Sequence, residues 1–66
     1  MKLRWKSLIV GGRKLYLAFR GRKAVGAVFQ HPPGWFYKTD VALNHGPFAT
    51  AALAKIALRE HLAQSH

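Results

Sequence analysis

Residues 3–10 alternate between two faces, with Leu3, Trp5, Ser7 and Ile9 on one side and Arg4, Lys6, Leu8 and Val10 on the other, which is the periodicity of a β-strand. Gly11 and Gly12 then mark a tight hairpin. A two-residue loop would pair Lys6 with Leu17 and mix charge into both faces, so we predict a three-residue loop that ends at Arg13. In that register one face is wholly apolar. It carries Leu3, Trp5, Ile9, Leu15, Leu17 and Phe19, and the opposite, basic face carries Arg4, Lys6, Lys14, Tyr16 and Arg20.

A third strand is predicted over residues 24–30, after a turn in which Gly21 suits the positive φ of a type II′ loop. Ala24, Gly26 and Val28 lie on its apolar side. The two small residues leave room for a close-packed helix, although Gly26 also suits a β-bulge. The other side of this strand continues the basic face with Lys23, Val25, Ala27 and Phe29.

A fourth strand is predicted over residues 34–39. It follows a loop at residues 31–34, where two prolines cannot donate ladder hydrogen bonds. Because side chains alternate along a strand, Trp35 and Tyr37 share one face. If this strand pairs with the third strand, Phe36 and Lys38 join the basic face.

One helix is predicted near the carboxy terminus. Residues 40–47 are predicted to form a connection, because Gly46 and Pro47 break strands. Thr50 can then accept hydrogen bonds from the free N–H groups of a first helical turn, and an alanine- and leucine-rich run continues to Ala63. A helix of about 14 residues is marginal by itself in water, so it must pack against the strands.

Together these elements predict an α+β fold, an antiparallel β-meander of three to four strands packed by one carboxy-terminal α-helix. Sixty-six residues make a single small domain, spanning residues 1–66. The helix has a broad apolar arc, so Leu58 and Leu62 are either buried in the monomer or available for a homodimer contact. With no cysteine, no apolar signal core and no run of about 18 apolar residues, we expect a cytoplasmic protein without a membrane span.

Charge is distributed unevenly along the chain. The chain contains eleven Lys and Arg residues and only two carboxylates, which gives a formal net charge of +9. Eight of the cations, and neither carboxylate, fall within residues 1–23. A positive electrostatic field that is concentrated in one part of a protein attracts polyanions. The expected partners, in order of preference, are nucleic acid, acidic protein surfaces and anionic lipid.

The predicted basic face combines these cations with aromatic rings. Lys and Arg neutralise phosphates, and aromatic side chains stack on unpaired bases or pack on sugars and thymine methyl groups. The alternative is a solvated outer face whose aromatic residues only favour the strand conformation. The predicted nucleic-acid contacts are Arg4, Lys6, Lys14, Tyr16, Arg20, Arg22, Lys23, Phe29, Phe36 and Lys38.

The chain offers few groups for catalysis. Asp40 and Glu60 are distant in sequence, so no carboxylate pair is placed for general acid–base work. The four histidines lack the i, i+4 spacing of a zinc-binding helix, and there is no cysteine to complete a metal site. We therefore expect a protein that is not an enzyme and has no metal and no cofactor. A small ribonuclease that uses His31, Tyr37 and an arginine is the alternative.

The junction before the helix carries a family resemblance. The pattern Gly46-x-Phe48-x-Thr50-Ala51-x-x-Ala54-x-x-Ala57 resembles that of ethylene-response-factor DNA-binding domains and of the amino-terminal domains of phage and transposon integrases. The resemblance implies a three-stranded antiparallel sheet, backed by a carboxy-terminal helix, that lays its sheet face into the DNA major groove. The characteristic Arg, Gly and Trp strand motifs of those families are absent here.

These observations predict a non-enzymatic nucleic-acid-binding protein for duplex DNA, bound through the basic face. A phage or another mobile element is the expected source. The principal alternative is a small phage-type protein-interaction module or inhibitor that docks its basic face on an acidic host protein.

Overall fold

The computed structural model describes residues 2–39 and 44–64, and it confirms an α+β fold with one helix after the sheet. The sheet is antiparallel and has five strands in the order β1-β2-β3-β4-β5, one or two more than predicted. The elements are β1 (Arg4–Val10), β2 (Arg13–Arg20), β3 (Lys23–His31), β4 (Gly34–Thr39), β5 (His45–Phe48) and α1 (Ala51–Gln64).

The fifth strand lies where the sequence predicted part of a connection. β5 pairs with β4 through Trp35–Phe48 and Tyr37–His45, and the register is irregular between these two pairs. An edge strand tolerates proline because one side of its backbone needs no ladder hydrogen bonds, so Pro47 does not prevent this pairing. The remainder of the predicted connection, residues 40–43, lies outside the described residues.

The first hairpin has a different register from the predicted one. Val10 pairs with Arg13 and Lys6 pairs with Leu17, so the loop contains two residues and not three. Gly11 and Gly12 have φ values of 59° and 78°. Two consecutive positive φ values are the signature of a type I′ turn, whose twist matches that of the strands it joins. The three-residue loop was therefore wrong, and charged side chains do lie on the same face as apolar ones.

The other turns agree more closely with the prediction. Gly21 has the expected positive φ of 64°, and Pro32 and Pro33 form the tip of the β3–β4 hairpin. Ala18 pairs with Gly26 but Phe19 pairs with Ala24, so a bulge interrupts the β2–β3 pairing beside Gly26. As a result Ala24 is exposed and does not provide the space beneath the helix that was predicted for it.

The core lies between the sheet and one side of α1. Ala18, Val28 and Tyr37 of the sheet pack against Ala54 and Leu58 of the helix, and all five are buried. This packing requires small residues on the sheet. A Cβ atom added at Gly26 would lie 3.0 Å from Leu58 Cδ1 and 2.9 Å from the Lys38 carbonyl oxygen. Gly26 is therefore the position at which the helix approaches the sheet backbone.

The helix begins as the sequence predicted. The backbone N–H of Leu53 donates a hydrogen bond to Thr50 Oγ1 over 3.2 Å, which is the expected amino-terminal cap. The face predicted for a homodimer is largely used within the chain, because Leu58 is fully buried and Leu62 is half-buried. The large apolar side chains that α1 exposes are instead Leu53 and Ile56, which are 49% and 50% accessible.

Polar and aromatic contacts also join α1 to the sheet. The Tyr37 hydroxyl and His61 Nδ1 share a hydrogen bond of 3.1 Å, and the His45 ring stacks on the Tyr37 ring. Burial of the Tyr37 phenol raises its pKa above the ordinary value. Lys55 Nζ lies 4.0 Å from the centroid of the Tyr16 ring, so this lysine is held on the sheet. These contacts fix the helix to one face, and no helix or strand of residues 2–39 and 44–64 covers the opposite face.

Candidate nucleic-acid interface

The face of the sheet opposite α1 is not covered by any element of the described chain. The helix contacts β3, β4 and β5 on the face that carries the buried residues Ala18, Val28 and Tyr37. Because neighbouring side chains on a strand point to opposite faces, the strand pairing identifies the residues on the other face. We call it the open face. It consists of Arg4, Lys6, Leu8, Val10, Arg13, Leu15, Leu17, Phe19, Ala27, Phe29, His31, Phe36 and Lys38.

An apolar row crosses the middle of the open face. Leu8 pairs with Leu15, Leu15 with Phe29, and Phe29 with Phe36, so four neighbouring strands each contribute one side chain. All four side chains are half-buried. The two phenylalanine rings are nearly parallel, with an interplanar angle of 17° and a centroid separation of 5.8 Å. We call this set the apolar row, and its two rings form a stacked pair.

Lysines occupy both ends of the next cross-strand row of the open face. Lys6 pairs with Leu17 on β2, and Ala27 on β3 pairs with Lys38, so the two lysines are separated by the width of four strands. Both are exposed. Lys38 Nζ lies 6.0 Å from the centroid of the Phe29 ring. The ammonium group of Lys38 therefore lies over the Phe29 ring.

Further cations occupy both ends of the sheet, and none of the five strands contains Asp or Glu. Arg4 pairs with Phe19 near the β2–β3 turn, and Arg13 pairs with Val10 at the opposite end. Phe29, Lys38 and Arg13 also line a shallow hollow of about 340 Å³. With no carboxylate on the strands to neutralise these charges, the open face attracts anions along its whole length.

Five of the predicted contact residues lie together on the open face. They are Arg4, Lys6, Phe29, Phe36 and Lys38. Three more, Arg20, Arg22 and Lys23, lie at the β2–β3 turn, where Arg20 pairs with Lys23 next to the bulge.

The remaining two predicted residues, Lys14 and Tyr16, belong to the helix-covered side of the sheet. Tyr16 pairs with Ser7 and Val28, and its ring lies beneath Lys55 and 6.0 Å from the Trp35 ring. Lys14 is two residues earlier on the same strand and shares this side. Their placement on the basic face was wrong because the two-residue loop moves every side chain of β2 to the other face.

The same change of register brings residues to the open face that the sequence analysis placed elsewhere. Leu15, Leu17 and Phe19 were predicted to lie under the helix, and they lie on the open face instead. Arg13, which was predicted to lie in the loop, also belongs to the open face, whereas Leu8 was predicted on the side of Arg4 and Lys6 and lies there. The signal for this arrangement was the Gly11-Gly12 pair, since two adjacent glycines are the preferred sequence for a two-residue type I′ turn.

The residues suggested for a ribonuclease site are not brought together. His31 lies at the end of β3 on the open-face side, where its Nδ1 atom is 2.9 Å from the Pro32 carbonyl oxygen. Tyr37 is buried on the helix-covered side. The His31–Tyr37 pair therefore cannot act on one substrate group. Within residues 2–39 and 44–64, no three His, Asp or Glu side chains form a group that could hold a metal ion.

Comparisons with protein-family models, curated proteins and solved structures gave no match. Among the residues that the structure describes, no helix combines the length and the apolar character needed to cross a membrane.

Proposed function

We propose that this protein binds nucleic acid, without catalysing a reaction, through the open face of its sheet. The observation that carries the proposal is the combination on one uncovered face of the apolar row with the exposed cations Arg4, Lys6, Arg13 and Lys38. Phosphate groups are the natural partners of the cations, and bases and sugars are the natural partners of the apolar side chains. A nucleic acid supplies both kinds of group at close spacing.

DNA is the nucleic acid that we propose. The resemblance to integrase-type and ethylene-response-factor domains favours it, and that resemblance stays a prediction. One helix on one side of an antiparallel sheet is the arrangement expected of such a domain, and no helix or strand of the described residues covers the other side. A cytoplasmic location and a phage or mobile-element source also stay predictions from the sequence.

A protein-interaction module is the second candidate function, and the apolar row favours it. Protein interfaces have an apolar core and a polar rim, and the open face has both. The partner would be an acidic host protein, because the rim is cationic. Such a complex depends on one particular partner and on a few aromatic anchors, whereas general nucleic-acid binding depends on the number of phosphates that are neutralised.

The salt dependence of DNA affinity separates the two functions. A protein that neutralises four phosphates, one for each open-face cation, is expected to show a log–log slope of affinity against salt of about −3 to −4. Fluorescence anisotropy with a labelled oligonucleotide measures this slope between about 50 and 200 mM salt. Binding that is absent at the lowest salt, or that does not weaken as salt is raised, would contradict the proposal and favour the acidic protein partner.

A further inference from the structure

From the dimensions and chemistry of the open face we infer that it prefers an unpaired DNA strand to a duplex, and that bases stack on Phe29 and Phe36. This inference rests on the proposed function and specifies its ligand. It differs from the expectation of duplex DNA that came from the sequence, and three features of the open face carry it.

The first feature is the width of the sheet. Neighbouring strands lie about 4.8 Å apart, so the backbones of β1 and β4 are separated by about 14 Å before side chains are added. The major groove of B-DNA is about 12 Å wide. A three-stranded sheet spans only about 10 Å between its outer backbones and can enter the groove. The additional strands make the open face too wide to lie flat in it.

The second feature is the apolar row itself. The surface of a duplex presents phosphates and base-pair edges on which thymine methyl groups are the main apolar feature. Apolar side chains pressed against phosphates would remove water from the charges without replacing its hydrogen bonds. Unpaired bases instead expose flat apolar faces. The nearly parallel rings of Phe29 and Phe36 offer a matching surface, and aromatic side chains are the usual stacking platforms for single strands.

The third feature is the position of the cations relative to the rings. Lys38 Nζ lies 6.0 Å from the Phe29 centroid, so a phosphate attached to a nucleotide stacked there would come within reach of the ammonium group. Lys6 occupies the opposite edge of the same four strands. A strand that crosses the open face between these lysines places its bases on the apolar row and its phosphates at both edges.

Oligonucleotides that differ only in their bases test the stacking directly. The wild-type protein is titrated at one fixed salt concentration with three labelled probes. They are an oligothymidylate of about ten nucleotides, an abasic strand of the same length and charge, and a duplex of the same length. The oligothymidylate is expected to bind at least about tenfold more tightly than either of the others. The abasic probe is the matched control, since it retains every phosphate and removes every base.

A double substitution tests the two rings. Phe29→Leu with Phe36→Leu retains apolar side chains and removes the aromatic faces, so the domain is expected to fold. Loss of two stacking contacts should weaken oligothymidylate binding by about a hundredfold and leave abasic-strand binding unchanged. If the folded variant binds oligothymidylate as the wild type does, or if the wild type binds the duplex or the abasic strand as tightly, the strand preference is overturned and nucleic-acid binding stands. If no probe binds, both the inference and the proposed function are wrong.

Discussion

Replacing Leu58 with alanine is expected to leave most of the protein unfolded at 25 °C. Leu58 is fully buried between the helix and the sheet, with its methyl groups over Gly26. The glycine has no side chain that could move into the cavity, so little of the lost contact can be recovered. Leu→Ala substitutions in cores cost about 2–5 kcal/mol. A core in a domain of this size rarely supplies more than about 3–5 kcal/mol of stability.

The matched control is Leu53→Ala, the same substitution on the same helix. Leu53 is 49% accessible and outside the buried cluster, so its loss is expected to cost less than about 1 kcal/mol. Thermal and urea denaturation, followed by circular dichroism, measure both variants against the wild type. Equal stability of the two variants would show that the helix does not pack on the sheet through Leu58.

Reversing the charge of two lysines on the open face is expected to remove most nucleic-acid binding. Lys6→Glu with Lys38→Glu replaces two attractive contacts with repulsion at opposite edges of one cross-strand row. Both side chains are exposed, so the fold should be retained. We expect affinity for an oligonucleotide to fall by about a hundredfold, equivalent to about 3 kcal/mol, at moderate salt. Fluorescence anisotropy measures the loss, and circular dichroism verifies folding.

A second double variant controls for net charge. Lys14→Glu with Arg59→Glu changes the charge of the protein by the same amount, but both residues are exposed outside the open face. Its affinity is expected to fall much less, because a uniform change in net charge acts weakly through salt solution. If both double variants lose binding equally, the protein attracts nucleic acid by overall charge and the open face has no special role.

The sequence was sufficient to predict most of the secondary structure. Alternation located β1, the glycine and proline turn signals bounded β2 to β4, and Thr50 located the start of the helix. These signals are local, because each depends on a few neighbouring residues. β5 was missed since its pairing with β4 is a long-range interaction, which compensates for a glycine and a proline that disfavour a strand.

The register of the first hairpin could not be found by sorting charges from apolar residues. That method assumes that a face must be uniform, whereas an uncovered face can mix long charged side chains with apolar ones and keep the charges in water. The turn itself carried better information, because Gly11 and Gly12 adopt two positive φ values that few other pairs tolerate. Because the loop has two residues and not three, Tyr16 lies on the helix-covered side and not in the predicted site, and Leu15 lies on the open face.

The sequence therefore predicted a sheet face that combines cations with aromatic rings, but it predicted only some of the residues on that face. Lys6, Lys38 and the two phenylalanines lie on one face as predicted. The wrong loop reversed β2 relative to β1, the bulge that was not placed reversed β3 relative to β2, and the two errors cancel. The bulge beside Gly26 was left open as one of two roles for that glycine, and it determines that Gly26 pairs with Ala18. Bulges depend on pairing between strands, so the sequence of one strand alone does not locate them.

Methyl-group chemical shifts provide the most direct test of the claim that the open face binds nucleic acid. Leucine methyl groups report on both sides of the sheet, whereas backbone amides of a strand are shared by both faces. On titration with a DNA strand of about ten nucleotides at low salt, we expect salt-sensitive shifts at the methyl groups of Leu8, Leu15 and Leu17. Those of Leu53 and Leu62 on the helix should remain unchanged. Shifts confined to the helix leucines, or no shifts at any leucine, would contradict the account.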